Sequence, residues 1–545
     1  MQTSSLGVFL LAGSVSGCVV IEDRTPAPAR GAVSQPLRAF VEQSSVTLRS
    51  VSAEVDGHLL PLALDPATGL YTGAYAPASL ADRCKPSYSL RYQTVFQNSG
   101  GVEVTQYEPA LGHYQREATG FIPRACLEPL PDQPLTITVV SSGDAELAPG
   151  ATTCVSELAS GECTLRAAVS LANRHLGPDV VVLGSGSIYI LSIGTSAPSS
   201  YLQPHHLTIR DDVTIRASGS APATILEFAR YGKTLFDVNA ASPVTLQLQG
   251  LIIRGFQSSG SEDHDGGVGG AITNTNGSLI IDACTFLRNT SRAIIRGGAI
   301  QNHGYLSIDH STLTDNESMM GGAIAQLANA AGTRGLPYAR IRNSTISNNR
   351  ALVAGAGIYG EAGTLDIENV TFAGNGPRSS SVLDGGALCI AGATVLVRQS
   401  TFAQNTAAYG AGIYINGGTL ALANSIVANF ATSSERSSDV MGPVGTAAYG
   451  IGTNLFSRCS STPPGSYYTC PFADSSLILT TSPGLLPLAL NAPGLTETFA
   501  LTTTSPARGQ GPAAAANVAD IATCLHTDQR GVARSLPCDL GAYQP

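Results

Sequence analysis

The sequence predicts an all-β protein, a solenoid of stacked parallel β-coils preceded by a small β-sandwich. Three observations carry this reading. A GGAI unit occupies 269–272, 297–300 and 321–324, and variants of it return at 355–358, 385–388 and 410–413, with spacings of 28, 24, 34, 30 and 25 residues. Repetition at such a period signals stacked supersecondary units. Between the restarts, apolar and polar residues alternate over short runs, which is the period of a strand. The composition agrees, with 59 Gly for tight turns and no Trp. Only 13% of residues are charged and the formal net charge is −9, so the chain lacks the basic face that nucleic acid requires.

The elements follow in chain order. Residues 1–17, with an apolar stretch from Leu6 to about Val15, are expected to be a secretion signal, too short to anchor by itself. Val15-Ser16-Gly17-Cys18 resembles a bacterial lipobox, although no Lys or Arg precedes the apolar run. The resemblance implies lipidation of Cys18 and, since Val19 follows, sorting to the outer membrane. Residues 18–36 are expected to be a flexible tether. Residues 37–128 contain SVTLRSVSAEVDG, GLYTGAY, SLRYQTVFQ and GVEVTQYE, strand-like runs that suit a β-sandwich, with Cys84 and Cys126 bracketing it. A Pro-rich linker spans 129–134.

Residues 135–175 hold the one convincing helical stretch, in which Leu165, Ala168, Val169 and Ala172 recur at helical spacing. A helix there would cover the open end of the solenoid at 176–460. Within the solenoid, Leu306/Ile308, Leu365/Ile367 and Val395/Val397 are expected to point inward. Phe286, Leu313, Ile346, Phe372, Phe402 and Val427 share a register and should form one inward column. Cys284 aligns with Ser311, Ser344, Val370, Ser400 and Ser425, which makes it a buried, inert thiol. Asn289, Asn316, Asn349, Asn375 and Asn405 share another register, where side chains can hydrogen-bond from coil to coil. Once the chain is exported, close cysteine neighbours are disulfide candidates: Cys154/Cys163, Cys459/Cys470 and Cys524/Cys538. No CxxC pair marks a structural zinc site.

The repeats GGAI…STF…N resemble those of bacterial polymorphic outer-membrane proteins, and the fold they imply is a right-handed parallel β-helix of the pectin-lyase-like class. Cys163-Thr164-Leu165-Arg166-Ala167-Ala168 is similar to the CSLREA segment that opens many such proteins. Residues 461–545 are expected to close the solenoid. Asp528-Gln529-Arg530-Gly531, Arg534 and Cys538-Asp539-Leu540-Gly541-Ala542-Tyr543 resemble the choice-of-anchor Q segment, whose Arg and Asp residues are expected to lock a C-terminal cap. In that family an anchoring signal follows; here the N-terminal lipid is expected to supply the anchor.

Fold alone does not license catalysis. Ile308-Asp309-His310 is similar to a fragment of the pectate-lyase signature, with Ser307 in place of its Trp. The lyase base motif Arg-x-Pro-x-x-Arg and the hydrolase motifs Asn-Thr-Asp and Gly-His-Gly do not occur. The register through Asp282, Asp309, Arg342, Glu368, Arg398 and Ala423 mostly alternates in charge, as an exposed ladder does. Asp282 and Asp309 stack as like charges, which calls for a cation, Arg292 or Arg296 beside them. Asp282, Asp309 and His310 are therefore the candidates for chemistry on a face read as non-catalytic. Glu262, Asp263, His264 and Asp265 form an acidic loop able to offer oxygens to Ca²⁺, against the simpler reading of a solvated loop. Tyr359 and Tyr414 share an outward slot with Cys389 between them and could stack sugar rings.

Together these observations predict a lipid-anchored, surface-exposed, monomeric β-helix protein of the bacterial outer membrane. It is expected to act without a cofactor, with Ca²⁺ the one candidate ion, in adhesion or binding of surface or host glycans or proteins. The alternatives are a polysaccharide lyase or hydrolase acting on an acidic glycan, and a structural surface-layer component.

Overall fold

A computed structural model describes residues 18–23, 35–44, 47–55, 58–66, 70–76, 87–97, 102–108 and 114–117. From 134 to 545 it describes all but 192–205, 228–233, 240–243, 259–269, 292–295, 329–335, 379–383, 430–437, 460–467, 473–476 and 514–522. The chain divides into two units, 1–131 and 132–545.

The first unit consists of two antiparallel sheets. One contains β1 (Cys18–Asp23), β2 (Gln35–Ser44), β5 (Ala63–Asp65) and β6 (Leu70–Tyr75). The other contains β3 (Thr47–Val55), β4 (His58–Pro61), β7 (Ser87–Gln97), β8 (Glu103–Glu108) and β9 (Tyr114–Glu117). Alternate residues of both sheets meet in one apolar core: Leu37 and Ala39 from β2, Val51, Ala53 and Val55 from β3, and Leu90, Tyr92 and Phe96 from β7. This is the expected sandwich. One boundary differs. Cys18–Asp23 was expected to begin the tether but pairs along its whole length with Phe40–Ser44 and Ala39 of β2. Cys84 and Cys126 lie outside the described residues, as do the signal segment and residues 24–34.

The second unit is a parallel β-solenoid. Its longest sheet has 19 strands, two from each regular coil, and a second sheet has 11 parallel strands. One coil shows the plan: Ile300–Asn302 and Tyr305–Asp309 lie in the long sheet, Thr312–Thr314 in the second and Glu317–Met320 in a third. Two of the corners are single residues with left-handed backbone. One corner column contains Ala283, His310, Asn343, Asn369, Gln399 and Asn424, and the other contains Arg288, Asp315, Asn348 and Gln404, all with φ between 41° and 60°. Asn and Asp tolerate this conformation best, which is why they recur there. The GG pair makes the third corner. Gly297 has φ 81°, and a Cβ on Gly298 would overlap the Gly322 carbonyl of the next coil. The restart of the sequence every 24 to 34 residues is thus the recurrence of one corner at which backbones touch.

The inward columns match the sequence reading. Phe286 pairs with Leu313, then Ile346, Phe372, Phe402 and Val427 in turn, and all are fully buried. Each Asn of the ladder donates its backbone N–H and its Nδ2 to Oδ1 of the next, from Asn289 through Asn316, Asn349, Asn375 and Asn405 to Asn429, at 2.8–3.0 Å. Each Asn thereby satisfies backbone groups that a tight corner would leave buried and unpaired.

Both ends are closed. Helix α1 (Leu165–Ala172) begins at Thr164, whose hydroxyl accepts from Ala167 N and donates to Ala145 O. Its apolar face, including Leu165, Ala168, Val169 and Ala172, joins the same core as Val181, Leu183 and Ile209 of the first coils. Arg166 makes a two-point contact with Asp144, and Cys154 is bonded to Cys163. Cys459–Cys470 and Cys524–Cys538 are also disulfides, and Cys284 and Cys389 are free and buried.

The C-terminal segment does more than close the end. Its start covers the last coil, with Phe472 against Phe456 and Leu477–Leu479 added to the second sheet, and the rest lies along the outward face of that sheet. Gln529 bonds Thr345 and Thr371, the Ala542 amide donates to Thr401, and Leu501, Ala507 and Leu540 pack on Ile426, Ala428 and Leu455. The outward side chains of these coils are small (Thr, Ala and Ile at 371, 373, 401, 403 and 426), which leaves room for a covering strap.

Candidate functional site

The outward positions of the long sheet carry the site predicted from sequence. On strand Ser278–Asp282 these are Ser278, Ile280 and Asp282; the same columns continue through Tyr305, Ser307 and Asp309, then Tyr338, Arg340 and Arg342, then Thr364, Asp366 and Glu368. Strand alternation makes each inward partner apolar and leaves these side chains on the face.

The charges are largely engaged with one another. Arg342 Nη2 lies 2.9 Å from Asp309 Oδ2, and Asn343 Nδ2 donates to Asp309 Oδ1 at 2.9 Å. His310 Nδ1 lies 3.3 Å from Asp309 Oδ1 and 3.4 Å from Asp282 Oδ1. Farther along, Arg398 pairs with Glu368, and Arg340 sits 3.2 Å from Glu368 and 3.6 Å from Asp366. Asp282, Asp309 and His310 therefore do converge, as the register implied. Their compensation differs from expectation. Arg342 of the following coil supplies it at Asp309, whereas Arg296 pairs with Glu361 and Arg292 lies outside the described residues.

Tyr359 and Tyr414 occupy the shared slot on either side of Cys389. They are only 9% and 4% exposed, so the expected stacking platform has no free ring to offer. Their rings belong to a separate apolar cluster with Leu327, Ala354, Met441, Tyr409 and Tyr468, and Arg296 lies over Tyr359. Burial raises the Tyr359 and Tyr414 hydroxyls above the ordinary tyrosine range, and it raises the nearby Asp384 carboxyl. Cys284 is likewise pushed up to about 12 by burial, as an inert thiol requires. Among the described residues no three His, Cys, Asp or Glu side chains are placed to hold a metal ion together, and the acidic loop at Glu262, Asp263, His264 and Asp265 lies outside them.

Two features were missed at the sequence level. Tyr305 and Tyr338 stack in adjacent coils, with ring centroids 5.8 Å apart and planes within 10°. Aligning the strands one residue farther upstream, as Ser278, Tyr305 and Tyr338, would have exposed the pair. Asp439 ends the Asn ladder. Its Oδ1 accepts from Asn429 N, and its Oδ2 from Ser457 Oγ and Arg458 N. No repeat marks that position, because the ladder stops there.

The residues of the C-terminal motif hold the strap in place. Asp528 takes both Nε and Nη2 of Arg530, and Arg530 lies 3.8 Å over the Tyr543 ring. Arg534 reaches Asn369 Oδ1 on the solenoid and the carbonyls of Asp539 and Gly541. Compared with protein-family models, curated proteins and solved structures, the chain matches none.

Proposed function

We propose that this is a non-catalytic surface protein, tethered to a bacterial outer membrane by a lipid on Cys18, whose β-helix binds surface or host glycans. The observation that supports it best is that most carboxylates on the outward face are engaged, Asp309 by Arg342 and Asn343 and Glu368 by Arg398 and Arg340, which leaves Asp282 without a second free carboxyl beside it. Acid–base cleavage of a glycan needs a carboxyl free to hold or take a proton at the scissile bond. Under the same reading, the segments at 163–168 and 528–543 are the opening and closing segments of a bacterial surface β-helix.

The reading is tested by expressing the chain without residues 1–17, with Cys18→Ser, and incubating it with acidic and neutral polysaccharides in Ca²⁺ and in EDTA. Binding without release of oligosaccharides is the expected result. Release that needs Ca²⁺ and is lost in Asp309→Asn would make the chain a lyase, the alternative favoured by the convergence of Asp282, Asp309 and His310. Anchoring has its own assay: in the exported chain, Cys18→Ser should abolish fatty-acid labelling, and retained label would defeat the lipid tether.

A further inference from the structure

We propose that strand Ser278–Asp282 is the floor of a binding site for an uncharged glycan, with Tyr305 as its stacking wall. The inference rests on the glycan-binding reading above and gives it a location and a ligand class.

Tyr305 is the exposed member of the stacked pair, with 40% of its surface accessible. One ring face is covered by Tyr338 of the following coil. On the other side its partner in register is Ser278, too small to cover a ring. The pair is held in place from behind, because Tyr338 donates its hydroxyl to Asp366 Oδ2 at 3.4 Å. Tyr305 thus offers a flat apolar face already fixed in orientation, which lowers the ordering cost of binding. A pyranose ring presents an apolar face of matching shape.

The geometry also fixes the direction of the polymer. The Tyr rings pile up along the coil-stacking direction, so a sugar added to the pile lies above Ser278 and Ile280. A glycan extends roughly within the plane of its rings and therefore runs along the strand toward Asp282. That strand spans on the order of 13 Å, room for two or three sugar units. At its far end stand Asp282 and His310, whose side chains are 45% and 38% exposed and able to meet hydroxyls. Ser307 lies between, next to Ile280 in register.

Charge decides the ligand class. Among the described residues of this face, Arg342 is engaged by Asp309, and Arg340 and Arg398 by Asp366 and Glu368, while Arg216 stands two coils from Asp282, beyond Gln249. The one acidic side chain on the floor strand is Asp282. An acidic polymer would meet repulsion there with no Lys or Arg on the strand or on the strands beside it, whereas a neutral one would find a ring, an apolar floor and hydrogen-bonding groups.

The test is affinity electrophoresis of the Cys18→Ser chain in gels containing a neutral β-glucan, a mannan, a galactan, polygalacturonate or alginate. Retardation by at least one neutral polymer and by neither acidic one is expected. Tyr305→Ala should weaken it about tenfold, or roughly 1.4 kcal/mol. Asp282→Asn should weaken it less, Tyr305→Phe should preserve it, and Tyr449→Ala, an exposed tyrosine of a later coil, should leave it unchanged. Thermal melts of each variant separate lost binding from lost folding, and Asp282→Asn serves if Tyr305→Ala does not fold. Retardation that survives both Tyr305→Ala and Asp282→Asn would overturn the site while leaving glycan binding intact. Binding confined to acidic polymers would overturn the ligand class, and no retardation by any polymer would overturn both the site and the glycan-binding reading.

Discussion

Replacing Asn349 by Ala removes the middle of the asparagine ladder. Asn349 is fully buried. Its Nδ2 donates to Asn375 Oδ1 and to Leu313 O, both at 2.9 Å. Its Oδ1 accepts from Asn316 N at 2.9 Å and from Asn316 Nδ2 at 3.0 Å. The substitution therefore breaks four hydrogen bonds and leaves the Asn316 amide and the Leu313 carbonyl buried without those partners. A net hydrogen bond is worth about 1 kcal/mol and a stranded buried group costs more, so the expected loss is roughly 3–5 kcal/mol. In a solenoid the loss should stay near the damaged coil, since each coil contacts only its neighbours. The assay is hydrogen exchange read by mass spectrometry at peptide resolution. Peptides covering 312–316, 345–349 and 371–375 should lose protection, and those covering 179–191 should keep it. A loss below about 1 kcal/mol would refute the ladder as a stabilising device. Equal deprotection of all coils would refute the nearest-neighbour argument.

Three further outcomes follow from the same geometry. Burial raises the Asp439 carboxyl to about 6 despite the donors that face it. The folded chain then holds a proton that the unfolded chain releases near 3.9, so stability falls as pH rises from about 4 to about 6, by up to about 3 kcal/mol. Denaturant titrations across that range should show the fall in the wild type and not in Asp439→Asn, and a wild type of constant stability would contradict the assignment. Gln529→Ala cuts the strap from Thr345 and Thr371, so limited proteolysis should release C-terminal fragments faster, whereas an unchanged rate would show that Gln529 does not hold it. At His310, with φ 44°, a β-branched side chain fits the left-handed corner poorly. His310→Val should cost about 1–2 kcal/mol in chemical denaturation while His310→Asn is tolerated, and equal effects would argue against corner strain.

Much of the fold was legible because the sequence repeats. The contacts of an inward residue are with its own counterparts one coil before and after. Aligning GGAI, the STF runs and the Asn positions therefore amounts to reading the contacts directly, and the columns at Phe286–Val427 and Asn289–Asn405 follow. The site was partly legible for the same reason, since Asp282 and Asp309 fall in one register. Their counter-ion was not. Arg342 also lies in that register, but nothing in the pattern tells a paired Arg from one that points to solvent. The Tyr slot fails in a related way: alternation places Tyr359 and Tyr414 outward, yet outward is not exposed when Tyr409, Tyr468 and Met441 pack over them.

The amino-acid sequence by itself determined the architecture of the solenoid: strand period, corner chemistry and inward columns. These depend on neighbours within a few residues or one repeat away. Tertiary structure alone decided what covers each face. The strap meets the second sheet through contacts such as Thr371 to Gln529, 158 residues apart, and although Thr371 recurs from coil to coil, Gln529 does not. Contacts between a periodic surface and a segment of no period leave no mark in the sequence spacing, so which ring is free, which carboxylate is paired and where the ladder ends are settled only when the chain has packed.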